Sequence, residues 1–400
     1  MKSDRVTSTQ ADQAEERRSM DKCDVKKVLS HYVDREKIFL IEEIKTGYIN
    51  RTFKIGVESE SGIKEFYTLQ RINNNVFPDV EALMDNFIIV SEHLSKKLRL
   101  SGQREGQAGV QRIKLTNNRK SYYHDASGYW RMVTHFSDVC SMDIPDSRRT
   151  FYEAGKAFGS FLREMSDVPI DRIKTVIPNF HNTRSRYLDL ERSVKEDRAG
   201  RVCEVGPELE FIRRYKNSFG TITDALSAGE IPTRVCHNDC NLNNILFDEA
   251  TRLPVAIIDL DTTMPSSPLY DYGDSMRIGT NTAKDDEKDL SKVSCDLELY
   301  ESYARGYLES CGDVLTKREL ELLPIASLII TSEDGIRFLM DHVDGDTYYT
   351  IQYPGQNLDR SRTQLKLVED MVKKLPRIKE ILADIYHDLD LEADPFKVEF

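Results

Sequence analysis

The run His237-Asn238-Asp239-Cys240-Asn241-Leu242-Asn243-Asn244, followed by Asp259-Leu260-Asp261, gathers side chains able to do chemistry. A carboxamide (Asn244) with one or two carboxylates (Asp259, Asp261) makes a hard-oxygen site. Mg²⁺ favours such donors and completes its shell with water and substrate phosphates. Asp239 remains as a base, or orienter, for an attacking hydroxyl. The spacing His-x-Asp-x-x-x-x-Asn with a later metal-binding Asp is the pattern of phosphoryl transfer. Protein kinases carry Arg where this chain has Asn238, and that Arg serves control by phosphorylation. Its replacement points away from a protein substrate. His237 reads as a loop-structuring residue. A motif this short also arises by chance, and the plain alternative is a polar turn network.

These residues need a scaffold that brings them together. Ile245-Leu246-Phe247 and Val255-Ala256-Ile257-Ile258 are short apolar strands separated by a polar turn, Asp248 to Leu253. In the antiparallel hairpin they form, the start of one strand lies beside the end of the other. That places Asn244 next to Asp259, with Asp239 in the loop before them. Around this β island the chain reads as helical. Ser147 to Met165, Pro207 to Leu226, Ser294 to Leu308 and Leu358 to Ile385 carry apolar residues at i, i+3, i+4 spacing. The N-terminal third reads differently. Ile38 to Ile44, Arg51 to Val57, Glu65 to Ile72, Gln111 to Leu115 and Tyr129 to Phe136 are strand-like. One helix starts at Pro78-Asp79 and runs through Leu83, Phe87, Val90 and Leu94. The expected fold class is α+β in two lobes: residues 1–22 form a disordered tail, 23–136 a small β-rich lobe, and 137–400 a larger, mainly helical lobe. The strand near Trp130 is the expected hinge.

The net charge of −12 over 400 residues argues against a nucleic-acid or anionic-membrane partner. No apolar stretch reaches the length of a membrane span, and the polar N-terminus lacks a secretory h-region. The seven cysteines are scattered without a Cys-x-x-Cys pair, which fits a reducing cytoplasm. Cys236 and Cys240 flank the motif but find no further ligand pair, so buried thiols are expected there rather than zinc.

The strings VCHNDCNLNNILF and AIIDLDTTMPSSPLYDYGDSMRIG resemble the aminoglycoside phosphotransferase-like kinases. Within them the chain looks like the N-acetylhexosamine 1-kinase group. The likeness continues in YTLQRINNNVFPDVEALMDN, DEKDLSKVSCDLELYESYARGYL, GIRFLMDHVDGDTYY and PGQNLDRSRTQLKLV, from about Gly47 to about Asp370. The resemblance implies a protein-kinase-like bilobal fold whose β-rich lobe covers the nucleotide, with ATP and Mg²⁺, and transfer of the γ-phosphoryl to the anomeric hydroxyl of N-acetylglucosamine or N-acetylgalactosamine. By the same resemblance Asp239 is the catalytic base, and Asn244 and Asp259 are metal ligands with Asp261 as a helper. Arg337 and Tyr348 are acceptor-binding candidates, and Asp274 and Arg277 are others. Plain alternatives are a helix-surface ion pair between Arg337 and Asp341, and core packing for Tyr348.

Two departures stand out. The family's first turn reads Gly-His-Ile-Asn, whereas this chain has Gly47-Tyr48-Ile49-Asn50, so Gly47, Tyr48 and Asn50 lie over the nucleotide or near the acceptor. Where most kinases place a phosphate-gripping Lys, this chain reads Leu69-Gln70-Arg71. Gln70 takes that position but carries no charge, and Arg71 reaches phosphate only if the register slips by one. Two alternatives follow: a same-fold kinase for another small hydroxyl acceptor, or an inactive nucleotide-binding module. Intact Asp239, Asn244 and Asp259 weigh against the inactive module.

Overall fold

A computed structural model describes residues 25–33, 37–44, 49–100 and 109–400. They divide into two compact units. The first takes the described residues up to Ser91 together with Gln111–Ser137; the second takes the rest. The expected tail, residues 1–22, lies outside the described residues.

The first unit is built on an antiparallel sheet of β1 (Ile38–Ile44), β2 (Arg51–Glu58), β3 (Lys64–Ile72), β4 (Ile113–Lys114), β5 (Tyr123–Asp125) and β6 (Gly128–Thr134). The strand order is β1-β2-β3-β6-β4, with β5 also on β6. Alternation gives the sheet two working faces. Phe53, Ile55, Val57, Leu69, Trp130 and Met132 form a core with Val25, Val28 and Leu29 of a short helix, α1, described at residues 25–29. On the opposite face Arg131 stacks its guanidinium over Phe87, 5.0 Å from the ring centroid. Phe87 belongs to α2 (Val80–Leu100), which Asp79 caps by accepting from the Ala82 amide at 2.9 Å. Trp130 lies mid-strand in this sheet, buried in its core.

In the second unit a three-stranded sheet, ordered β10-β9-β7, joins β7 (Val139–Cys140), β9 (Ile245–Asp248) and β10 (Pro254–Ile257). The strands β8 (Arg234–Cys236) and β11 (Met264–Ser266) pair separately. Helices do the rest: α3 (Arg148–Met165), α4 (Thr183–Glu196), α5 (Gly206–Tyr215), α6 (Thr221–Ser227), α7 (Pro268–Gly279), α8 (Leu297–Cys311), α9 (Lys317–Val343) and α10 (Gln356–Asp388). The helix expected over Pro207 to Leu226 is in fact two, α5 and α6, with a 3₁₀ turn at Ser218–Gly220 between them. Gly220 lies against the Arg184 guanidinium, where a Cβ would not fit. The helices α4 and α7 carry weak or all-round apolar patterns and escape a periodicity reading. Helix α7 is buried along nearly its whole length, so no polar face marks it. Helices α3 and α8 approach closely enough that a Cβ on Gly306 would collide with the Tyr152 carbonyl.

No helix among the described residues is long and apolar enough to cross a membrane.

Candidate active site

The hairpin forms with Ile257 opposite Ile245, and the Ile258 amide donates to the Asn244 carbonyl at 2.9 Å. Asn244 is thereby fixed one residue from Asp259. The side chain of Asn244 donates from Nδ2 to both the backbone carbonyl of Asp239, at 2.8 Å, and its Oδ2, at 2.9 Å. Its nitrogen is therefore committed to Asp239, and its carbonyl oxygen is the atom it can offer to a cation. The Asn241 amide donates to Asp239 Oδ1. Both carboxylate oxygens of Asp239 are thus held by neutral amides, which orients the group without quenching its basicity.

Asp239 is half-buried. Burial pushes its acidity down, and the nearby charge of Asp274 adds to this. The hydrogen bond from Asn244 and the charges of His181 and Arg277 pull the other way, and the carboxyl settles at about 6. A base poised near the working pH is what proton transfer needs.

Asp259 sits in the left-handed region, at φ 57° and ψ 54°, and opens the 3₁₀ turn Leu260–Thr262. A non-glycine residue held there is a strained choice that clusters at functional sites. Asp261 lies within that turn and is buried, 2% exposed. The Asn244 oxygen and the Asp259 carboxylate are donors of the hard-oxygen type that Mg²⁺ takes, and such sites complete the shell with water and phosphate oxygens. No group of three or more His, Cys, Asp or Glu side chains able to hold a metal occurs among the described residues.

Of the supports of this loop, His237 is the one legible in the sequence, whereas Asp271 carries no such mark. Asp271 accepts from the His237 and Asn238 amides, at 2.9 and 2.7 Å. His237 accepts at Nδ1 from the Asp239 amide at 3.3 Å, and its Nε2 bonds the Ile258 carbonyl at 3.0 Å. Its ring packs edge-on against Phe158 and Phe161, and burial pushes its basicity below the ordinary value. It is a neutral loop-structuring residue. Cys236 and Cys240 are buried, which pushes both thiols well up.

The acceptor candidates are brought together in part. Asp274 Oδ1 accepts from Arg277, and Arg277 Nη1 also reaches Asp334 at 3.1 Å. Asp334 accepts in turn from Arg337, at 3.4 Å. Burial opposes the charge of Arg277, yet Asp334 and Asp274 hold it more firmly protonated than usual. The ion pair weighed between Arg337 and Asp341 does not form. Asp341 instead accepts from the amides of Thr347, Tyr348 and Tyr349 and from Asn357 Nδ2, all at 2.8–2.9 Å. Core packing of Tyr348 is likewise overturned: the ring is 70% exposed, edge-on to Tyr349. The turn between α9 and α10 holds it out at the surface.

In the first unit, Gly47 and Tyr48 lie outside the described residues. Asn50 accepts at Oδ1 from the Asn73 amide at 3.0 Å. The β3–β6 register has no slip: Gln70 faces Arg131 and Arg71 faces Trp130. Gln70 Oε1 accepts from Arg131 Nε at 2.9 Å, so the strand row that holds Gln70 does carry a cation, supplied by β6. Arg71 is exposed on the other face and lies against Gly128.

Comparison with known proteins agrees with this chemistry. Residues 141–320 match the model of the phosphotransferase enzyme family, APH. Asp239, Asn244, Asp259, Asp261, Asp274 and Arg277 all fall within the matched residues, whereas Arg337 and Tyr348 follow them. Among solved structures, the chain is similar to an amicoumacin kinase in complex with AMP-PNP, Ca²⁺ and Ami. The TM-score is 0.53 at 14% identity, over 94% of this chain and 99% of that one. It is also similar to an aminoglycoside phosphotransferase from Alicyclobacillus acidocaldarius (TM-score 0.52, 13% identity, 91% and 96% covered). A choline kinase from Cryptosporidium parvum gives 0.52 at 12% identity, with 91% and 97% covered. These likenesses establish the fold: α+β and kinase-like, with a β-sheet N-terminal region and a helical C-terminal region.

Proposed function

We propose that this protein is a cytoplasmic, ATP-dependent small-molecule kinase that phosphorylates the anomeric hydroxyl of N-acetylhexosamines. The observation that carries the kinase reading is Asp239. Its two oxygens are held by Asn241 and Asn244, its carboxyl is raised to about 6, and it adjoins the Asn244–Asp259 pair. In the reaction, the acceptor oxygen attacks the γ-phosphorus and the bond from that phosphorus to the β,γ-bridging oxygen breaks. The acceptor proton passes to an Asp239 oxygen, and ADP leaves. Mg²⁺, held by Asn244 and Asp259, would neutralise the charge of the phosphates. An anomeric hydroxyl is more acidic than an ordinary alcohol, so a carboxylate is a sufficient base. Orientation supplies most of the rate.

The acceptor reading rests on the hexosamine-group resemblance and on one feature of the site. Tyr348 presents an exposed aromatic face of the sort that suits the apolar side of a pyranose. The free thiols among the described residues fit a reducing compartment.

An ADP-release assay across free hexoses, N-acetylhexosamines, methyl glycosides, homoserine, choline and kanamycin tests the proposal. Turnover is expected with N-acetylglucosamine or N-acetylgalactosamine and none with their methyl glycosides, which lack the free anomeric hydroxyl. Turnover confined to kanamycin, choline or homoserine removes the sugar reading. ATP binding without ADP release for any acceptor favours an inactive module.

A further inference from the structure

The peptide unit that leads into Asp239 is gripped at both ends by imidazoles. Its N–H, on Asp239, donates to His237 Nδ1 at 3.3 Å. Its carbonyl, on Asn238, bonds His181 Nε2 at 2.9 Å. Asn238 adopts φ 64°, in the left-handed region, so the orientation of this peptide is an unusual one that its surroundings must maintain. The Asn238 amide and side chain are held by Asp271, Cys236 and Thr262. The carbonyl is held by His181.

What holds His181 is more informative. Its Nδ1 lies 3.2 Å from Glu333 Oε1, and the other Glu333 oxygen accepts from Thr183 at 2.7 Å. Glu333 is fully buried in the middle of α9. A carboxylate stripped of water there needs a counter-charge, and a hydroxyl is not one. His181 is the cation in contact, with its ring lying over Tyr270 at 5.1 Å between centroids. As an imidazolium it donates from both nitrogens at once, to Glu333 and to the Asn238 carbonyl. Burial opposes the charge, but Glu333 outweighs it and holds the group above the ordinary histidine value.

We propose that the buried His181–Glu333 pair is a positioning device for the catalytic base: it fixes the Asn238–Asp239 peptide and thereby the direction of the Asp239 carboxylate. This rests on the kinase reading above only for its effect on rate. The geometry itself is independent of acceptor or turnover.

The test uses the full chain and three variants. His181→Phe keeps the ring over Tyr270 and removes both donors. His181→Gln keeps one donor and no charge. His181→Phe/Glu333→Gln also removes the stranded carboxylate, which restores folding if the single variant is unstable. Crystal structures of the wild type and of His181→Phe (or the double variant) should show the Asn238–Asp239 peptide rotated in the variant. With an accepted sugar, kcat should fall at least about tenfold while KM for MgATP stays within about twofold. The double variant should regain thermal stability without regaining kcat, and His181→Gln should lie between. A peptide that stays in place without His181 overturns the inference whatever the activity. A double variant that recovers wild-type kcat overturns it too, because the role would then be packing alone. Absence of turnover in the wild type would instead count against the kinase reading, and the crystallographic comparison would still decide this one.

Discussion

In the proposed reaction, Asp239, Asn244 and Asp259 divide the work among three environments. Asp239 combines partial burial with two amide donors, so its proton affinity rises while its direction is fixed. Replacing it with Asn should lower kcat by about 10²- to 10⁴-fold, the usual worth of a positioned base, and leave the Kd for MgATP near normal. Stopped-flow or calorimetric titration beside steady-state assays checks both halves. The raised carboxyl also sets a pH limb. Asp239 is a competent base only when ionised, so kcat/KM should fall as pH drops through about 6. Asp239→Asn should lose that limb in its residual rate. Asp259→Asn acts elsewhere: it should raise the Mg²⁺ concentration needed for half-maximal rate by about tenfold or more, since a neutral oxygen replaces a charged ligand.

At the scale of elements, the site depends on how a few segments are tied to one another. The hairpin of β9 and β10 joins Asn244 to Asp259 through local pairing. The turn after α9 is organised differently, by the single buried carboxylate of Asp341 taking four N–H donors. Asp341→Ala strands those donors. It should cost about 2–4 kcal/mol of stability, because each unmet buried donor costs about 1–3 kcal/mol and part is recovered by water. Hydrogen exchange at Thr347, Tyr348 and Tyr349 should speed up accordingly. If Tyr348 faces the acceptor, KM for the sugar should rise more than kcat falls. Unchanged exchange at these amides would show that the turn is held by other contacts.

At the scale of the whole molecule, the chain builds two compact units with separate hydrophobic cores. A ligand that binds only the folded chain stabilises it by mass action. At about 100 times its Kd, MgATP should add about 2.7 kcal/mol to the wild type. Asp239→Asn should keep that gain and Asp259→Asn should lose most of it, as read by thermal denaturation with and without nucleotide. Equal gains in both variants would break the assignment of Asp259 to the metal.

The sequence by itself determined what depends on near neighbours. The β-rich then helical order follows from apolar periodicity. The meeting of Asn244 and Asp259 follows from a hairpin whose strands lie a few residues apart. Only the tertiary structure decided the rest. His181 meets Asn238 across 57 residues and Glu333 across 152, and no local period connects them. The cation beside Gln70 comes from another strand, Arg131, so strand pairing rather than the Leu69-Gln70-Arg71 string reveals it. Arg337 and Asp341 share a helical spacing, but Asp334 and the amides of the following turn compete for them and win. The physical reason is common to all three. A buried polar group is satisfied by whichever partner the packed chain delivers, and packing brings together residues whose separation along the sequence carries no record of it.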